Sequence, residues 1–265
     1  MTSVRSTLSR TWRRSRAAVG GSAIVLTYHR VGDVTNDPHS LAVSVENFAD
    51  QLRVIAKHYR ALTARQLVSR VAAKRRLPHR AVVLTLDDGY AQTHATAASL
   101  LTAVGLRATS FLCSDAIGMA GEYPWDCTDP MLSARPSRRI LTYTEVLELR
   151  AGKAIEFGSH TRSHPRLSQL DEAAQREEII GGKQALDEML GKRVELFAYP
   201  HGGPKDIDAT SISLARAAGF MGAFTTRPGI VTPWSPLYEL PRYHTENVSG
   251  DELRTLLDRW FASAR

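Results

Sequence analysis

The chain reads as an α/β protein with a parallel sheet and crossover helices, the sheet either closed as a barrel or left open. Two observations predict this. Seven short apolar runs alternate with stretches of helical period. The 265 residues, 43% of them hydrophobic, can fill one large core.

Taken in order, the first run is AIVLTY at 23–28. Ser44 then offers an N-cap to a helix over 45–58, and a second helix is expected over 63–74. The run AVVLTL at 81–86 leads into a helix over 91–104, and RATSFL at 107–112 leads into a long irregular stretch, 113–140, that holds Trp125, Asp126 and Asp129. A helix over 143–150, the run AIEF at 154–157, a long helix over 171–190 and the run VELFAY at 194–199 follow. The pattern ends with a helix over 208–218, the runs GAFT at 222–225 and LYELPR at 237–242, and a helix over 250–262.

The 34 Lys and Arg against 27 Asp and Glu give a net charge of +7. Arg5, Arg10, Arg13, Arg14 and Arg16 all precede the first acid, Asp33, and without them the charge falls to +2. Basicity is thus mostly a property of residues 1–21, read as a disordered tail before a domain over 22–265, and nucleic acid is not expected as the main partner. The tail has no continuous apolar core, so it reads neither as a secretion signal nor as a membrane span, and a cytoplasmic protein is expected. Trp12 and the arginines suit at most a weak contact with an anionic membrane face. Cys113 and Cys127 make no disulfide framework, and Asn247-Val248-Ser249 matches a glycosylation sequon by pattern only.

The run at 81–86 ends on Asp87-Asp88-Gly89, where two carboxylates repel each other and both lose hydration. A turn explains such residues in isolation. The run at 154–157, however, ends on Gly158-Ser159-His160-Thr161-Arg162-Ser163-His164-Pro165, whose histidines share one face of a helical turn that Pro165 keeps short. In parallel folds binding groups collect at the carboxyl ends of strands. One carboxylate and two imidazoles leave coordination positions open, as a catalytic zinc ion requires. Asp88, His160 and His164 are then candidate metal ligands, and Asp87 a base for the attacking water. Two histidines and a carboxylate also describe a non-haem iron oxygenase, in which Asp87 would have no evident part.

The segments TLDDGY, SHTRSH and FAYPHG, in this order, resemble the three main motifs of the polysaccharide deacetylase family, the NodB-homology or carbohydrate esterase family 4 enzymes. LTYHRV near the start and LPRYH near the end extend the likeness over about residues 23–260, in the circularly permuted form that begins with a Tyr-His strand. The resemblance implies a distorted (β/α)7 barrel and metal-dependent removal of an acetyl group from an N-acetylated sugar, with Zn2+ the expected metal. It implies Asp87 as general base, and Asp88, His160 and His164 as metal ligands. Pro200-His201 stands where the family usually has Pro-Tyr, whose backbone N–H helps to hold the oxyanion. His29 is the expected general acid, with His244 the competitor, and Arg242 is expected to keep Asp87 ionised. Trp125, Asp126 and Tyr199 are candidates to line the sugar site. A carbohydrate-binding barrel without catalysis is the other reading, although base and ligands are all present.

Overall fold

The computed structural model describes residues 20–32, 37, 39–126 and 138–263. Cys127, Asp129 and residues 1–19 of the expected tail lie outside these. Gly20 and Gly21 belong to the domain rather than to the tail: the Leu77 N–H donates to Gly20 O, and a Cβ on Gly21 would meet Leu77 O at 2.0 Å.

Six of the seven apolar runs pair as parallel strands. β1 (Ala23–Tyr28) lies beside β5 (Ala81–Asp87) along its whole length, and every residue of both is buried. β6 (Ala108–Leu112), β7 (Ile155–Ser159), β8 (Leu196–Ala198) and β9 (Gly222–Phe224) follow in chain order, and β10 (Tyr243–His244) pairs with the other side of β1. Three short strands had no clear apolar signal. β4 (Arg60–Leu62) pairs with the first half of β5, while β2 (Arg30–Val31) and β3 (Ala42–Val43) form a separate ladder.

The strand expected at 237–242 is a correction. Pro236 and Pro241 remove backbone donors there, and the segment crosses between two strands instead of forming one. It bonds β9 through Ala223 N–H to Leu237 O and Leu240 N–H to Ala223 O, then reaches β1 through β10. The two ends of the curled sheet are joined in this way into a distorted barrel.

Helices pack outside. α1 (Val45–His58) starts on Ser44, whose Oγ accepts from the Asn47 N–H. α2 (Ala64–Ala72) and α4 (Tyr143–Gly152) each start with a reciprocal capping box, Thr63 with Gln66 and Thr142 with Glu145. α3 (Ala91–Ala103), α7 (Ala209–Ala217) and α8 (Gly250–Ser263) fall where the periodicity puts them. The expected helix 171–190 is interrupted: α5 (Glu172–Arg176) and α6 (Gly182–Leu190) flank a π-helical turn at Glu177–Gly181. Among the described residues no helix is long and apolar enough to cross a membrane.

Strand residues alternate between two cores. Ile24, Leu26, Val82, Leu84 and Leu86 pack under the helices, whereas Ala23, Val25, Ala81 and Val83 fill the interior with Phe111 and Phe224. Asp87 continues the inward series, so this parity places its carboxylate in the barrel mouth.

Interior filling leaves no room at Gly158, where a Cβ would stand 2.5 Å from the Phe111 ring and 3.0 Å from Leu196 O. Gly158→Ala should therefore cost about 1–3 kcal/mol, measured by urea denaturation. Gly152→Ala, with nothing within 4 Å, should change stability by less than about 1 kcal/mol. Equal effects would show that the interior can relax around the methyl.

Candidate metal centre and active site

β5 delivers Asp87 and Asp88 to the carboxyl end of the sheet, and Asp88 turns the chain with φ of 71°. That left-handed backbone is uncommon outside glycine and sends the two neighbouring carboxylates in different directions. Three more residues around the mouth share it: Thr161 at 69°, His164 at 67° and His201 at 56°. Strain of this kind costs of order 1–3 kcal/mol per residue and gathers at functional sites. The turn between the histidines is not helical, contrary to the sequence-based expectation. Left-handed steps at Thr161 and His164, with Thr161 Oγ1 accepting from the His164 N–H at 3.1 Å, bring the two rings together.

Asp87 and Arg242 form a bidentate pair, Nη1 to Oδ1 at 2.8 Å and Nη2 to Oδ2 at 2.7 Å, with Arg242 wholly buried. Arg242 makes further bonds: Nη1 also reaches Thr27 and Thr85 Oγ1 at 3.1 Å, and Nε reaches Thr225 O at 3.0 Å. Burial by itself would raise the Asp87 pKa, but the Arg242 charge, helped by His160, outweighs it and holds the carboxyl well below the usual range.

Asp88 is the opposite case. Burial first, then the charges of Asp87 and Asp126, push its pKa well up, and its Oδ1 is buried without a hydrogen-bond partner. Two imidazole nitrogens face that oxygen, His164 Nε2 at 3.4 Å and His160 Nε2 at 3.6 Å. His160 Nδ1–H donates to Ala198 O at 2.7 Å, which leaves Nε2 as a lone pair aimed at the carboxylate. Burial pushes both imidazoles toward the neutral form. Two ligand atoms about 2.1 Å from one ion at tetrahedral angles lie about 3.4 Å apart, close to what is found here. The donor set therefore fits a divalent cation, and among the described residues Asp88, His160 and His164 are the group able to hold one, with all ligand atoms within 4.8 Å.

Glu178, on the π-helical turn, accepts from the Arg162 and Ser163 N–H groups, each at 2.9 Å, and from Ser163 Oγ at 2.6 Å. Gly182 lets the helix approach, because a Cβ there would sit 2.8 Å from the Thr161 carbonyl carbon. The extra residue in this turn aims a carboxylate at the loop between the two histidines, a role for which the sequence carries no motif. The buried Cys113 anchors the same loop, its Sγ donating to His160 O.

His29 stands at the end of β1 with Nδ1 buried and unpartnered. Burial lowers its pKa to about 3, Asp87 opposing this in part. The exposed His244 is 5.4 Å from it between ring centroids, and its Nε2 donates to Ser40 O at 2.7 Å. Pro200 and His201 form the turn after β8, and the His201 ring lies 4.8 Å from that of His164. Trp125 stacks on Tyr123 at 4.2 Å and stands 4.6 Å from the His164 ring. Tyr123 also donates to Asp88 O at 2.9 Å.

Two candidates for direct sugar contact are corrected. Tyr199 is completely buried and donates its hydroxyl to Tyr238 O, so it belongs to the core. Asp126 is buried, with Oδ2 accepting from Tyr90 and Oδ1 from Arg138, so it braces the wall that carries Trp125.

A family model described as polysaccharide deacetylase matches residues 74–223, more than half of the chain and both halves of the Asp-His-His cluster. The chain belongs to the polysaccharide deacetylase family. It is 24% identical over 219 residues to YxkH of Bacillus subtilis, assigned by name to the polysaccharide deacetylases, a match that covers 82% of this chain and 69% of that protein. Among solved structures, IcaB from Ammonifex degensii is similar with a TM-score of 0.74 and 24% identity, covering 91% of this chain and 97% of that one. The Streptococcus pyogenes deacetylase PplD, in complex with acetate, gives 0.73 and 22%, covering 89% and 98%. These likenesses show the NodB-like barrel fold, and family membership supports carbohydrate deacetylase activity.

Arg242→Met leaves the deacetylase with a buried Asp87 whose charge is unmatched, and should cost about 3–5 kcal/mol at pH 7 by urea denaturation. Because the folded Asp87 pKa lies below the ordinary 3.8, its stabilisation is full above that value and is lost as the pH falls through the lowered one. The difference between wild type and variant should thus narrow on acidification. A difference independent of pH would assign the loss to packing alone.

Proposed function

We propose that the protein is a metal-dependent carbohydrate N-deacetylase acting on an N-acetylated amino sugar, with Asp88, His160 and His164 holding a divalent cation, Zn2+ by preference. The observation that carries this is the pairing of opposites at one strand end. Asp87 is fully neutralised by Arg242, while Asp88 has a buried, unpartnered oxygen facing two imidazoles. An oxygenase reading leaves the Asp87–Arg242 pair without a part, and a binding barrel has no need of the donor set.

When bound, the cation supplies a lowered water pKa and polarises the acetyl carbonyl. Asp87, held so far below the usual carboxylate range, is a weak base toward free water and suits a water acidified in that way. Its carboxylate takes the proton while Arg242 fixes its orientation. Water adds to the acetyl carbon, the C–N bond breaks, and acetate and a free amine leave. The His201 N–H has no protein acceptor among the described residues, so it is free to donate to the oxyanion. His29 is the acid that delivers a proton to the departing amine; it is neutral in this state, and the charge of Asp87 favours its gaining that proton during turnover. Trp125, next to His164, offers an aromatic wall to the sugar ring.

The two aspartates separate on substitution. Asp87→Asn should keep the metal and reduce acetate release from N-acetylglucosamine oligomers by about 10²- to 10⁴-fold. Asp88→Asn should lose metal, measured by elemental analysis, and regain part of its activity in excess Zn2+. The reverse pattern of rescue would exchange the two roles, and full activity in both variants would end the hydrolase reading.

A further inference from the structure

A cavity of about 760 Å³ lies at the opposite end of the sheet from the catalytic mouth. It forms where β5 changes partner. Arg60–Leu62 pairs with Ala81–Val83, and on the same edge Ala108–Phe111 pairs with Leu84–Asp87. The notch between these partners is walled by the end of α1, by α2 and by the turn Val104–Leu106.

Four arginines line it, Arg60, Arg65, Arg70 and Arg75, with the neutral hydrogen-bonding groups of Gln66 and Ser69 beside them and no carboxylate. Arg65 is paired with Glu195 at 3.0 Å, and Arg70 donates to Arg76 O at 3.1 Å. Arg60 and Arg75 are exposed and have no acidic partner among the described residues. Unmatched guanidinium groups around one concavity repel each other, and an anion carrying several charges turns that repulsion into attraction. The guanidinium fork suits phosphate oxygens, and Tyr59, Leu62 and Leu106 supply apolar wall for an attached organic group. The volume lies within the range of about 300–1,000 Å³ usual for small-ligand sites.

We infer that this cavity binds a phosphate-bearing polyanion, at a site separate from the catalytic mouth. The phosphate is either that of a soluble molecule or the headgroup of an anionic lipid, and two probes distinguish them. Binding of inorganic tripolyphosphate to the full-length, zinc-loaded chain is measured by calorimetry, and binding to phosphatidylglycerol vesicles by co-sedimentation. The test variant is Arg60→Gln with Arg75→Gln, both on the surface, with an unchanged thermal midpoint as the control for folding. Affinity for the bound probe should fall about tenfold for each arginine removed, and wild-type affinity should fall with added salt. Tripolyphosphate binding weakened in the double variant identifies a soluble ligand, and vesicle binding alone, weakened in the same way, identifies a lipid headgroup. Failure of both probes to bind overturns the inference. So does binding that the double variant leaves unchanged, whether a metal-held phosphate accounts for it or it disappears only when residues 1–18 are deleted.

Discussion

The buried pair of Asp87 and Arg242 is the interaction on which the site depends. A lone carboxylate at the end of an internal strand would take up a proton or draw water into the barrel, and a lone guanidinium could not be buried at all. Together, with Thr27, Thr85 and Thr225 also accepting from the arginine, they form a neutral unit. That unit leaves Asp88 as the unbalanced charge of the cluster. Which of two adjacent aspartates already has a partner decides which one is left to face the two imidazoles.

Much of this arrangement was legible in the chain. The apolar runs at 23–28 and 81–86 marked the two central strands, which are covered on both faces. Asp87-Asp88 and the two histidines announced themselves by standing at strand ends. The direction in which each aspartate points was not legible, since β5 is apolar on both faces and its parity cannot be read from composition. Tyr199 illustrates the same limit: its place near a motif suggested an open wall, while its register sends the ring into the core.

What stayed hidden was conformational. Thr161, His164 and His201 are ordinary residues in a left-handed backbone, imposed by tertiary contacts against local preference. The π-helical turn that presents Glu178 likewise comes from one extra residue in a helix whose periodicity looks unbroken. Arg242 was visible as a candidate, but the surrounding run looked like a strand. Its prolines instead make it a strap across the opening between β9 and β1.

That strap has a consequence in time. Arg242 meets Asp87 across 155 residues and Thr27 across 215. Contacts of that span are slow to form, because loop entropy is lost before they repay it. The aspartate finds its counter-charge only after residues 88–241 have been made, and docking of the strap turns a buried, unmatched carboxylate into one half of a neutral pair.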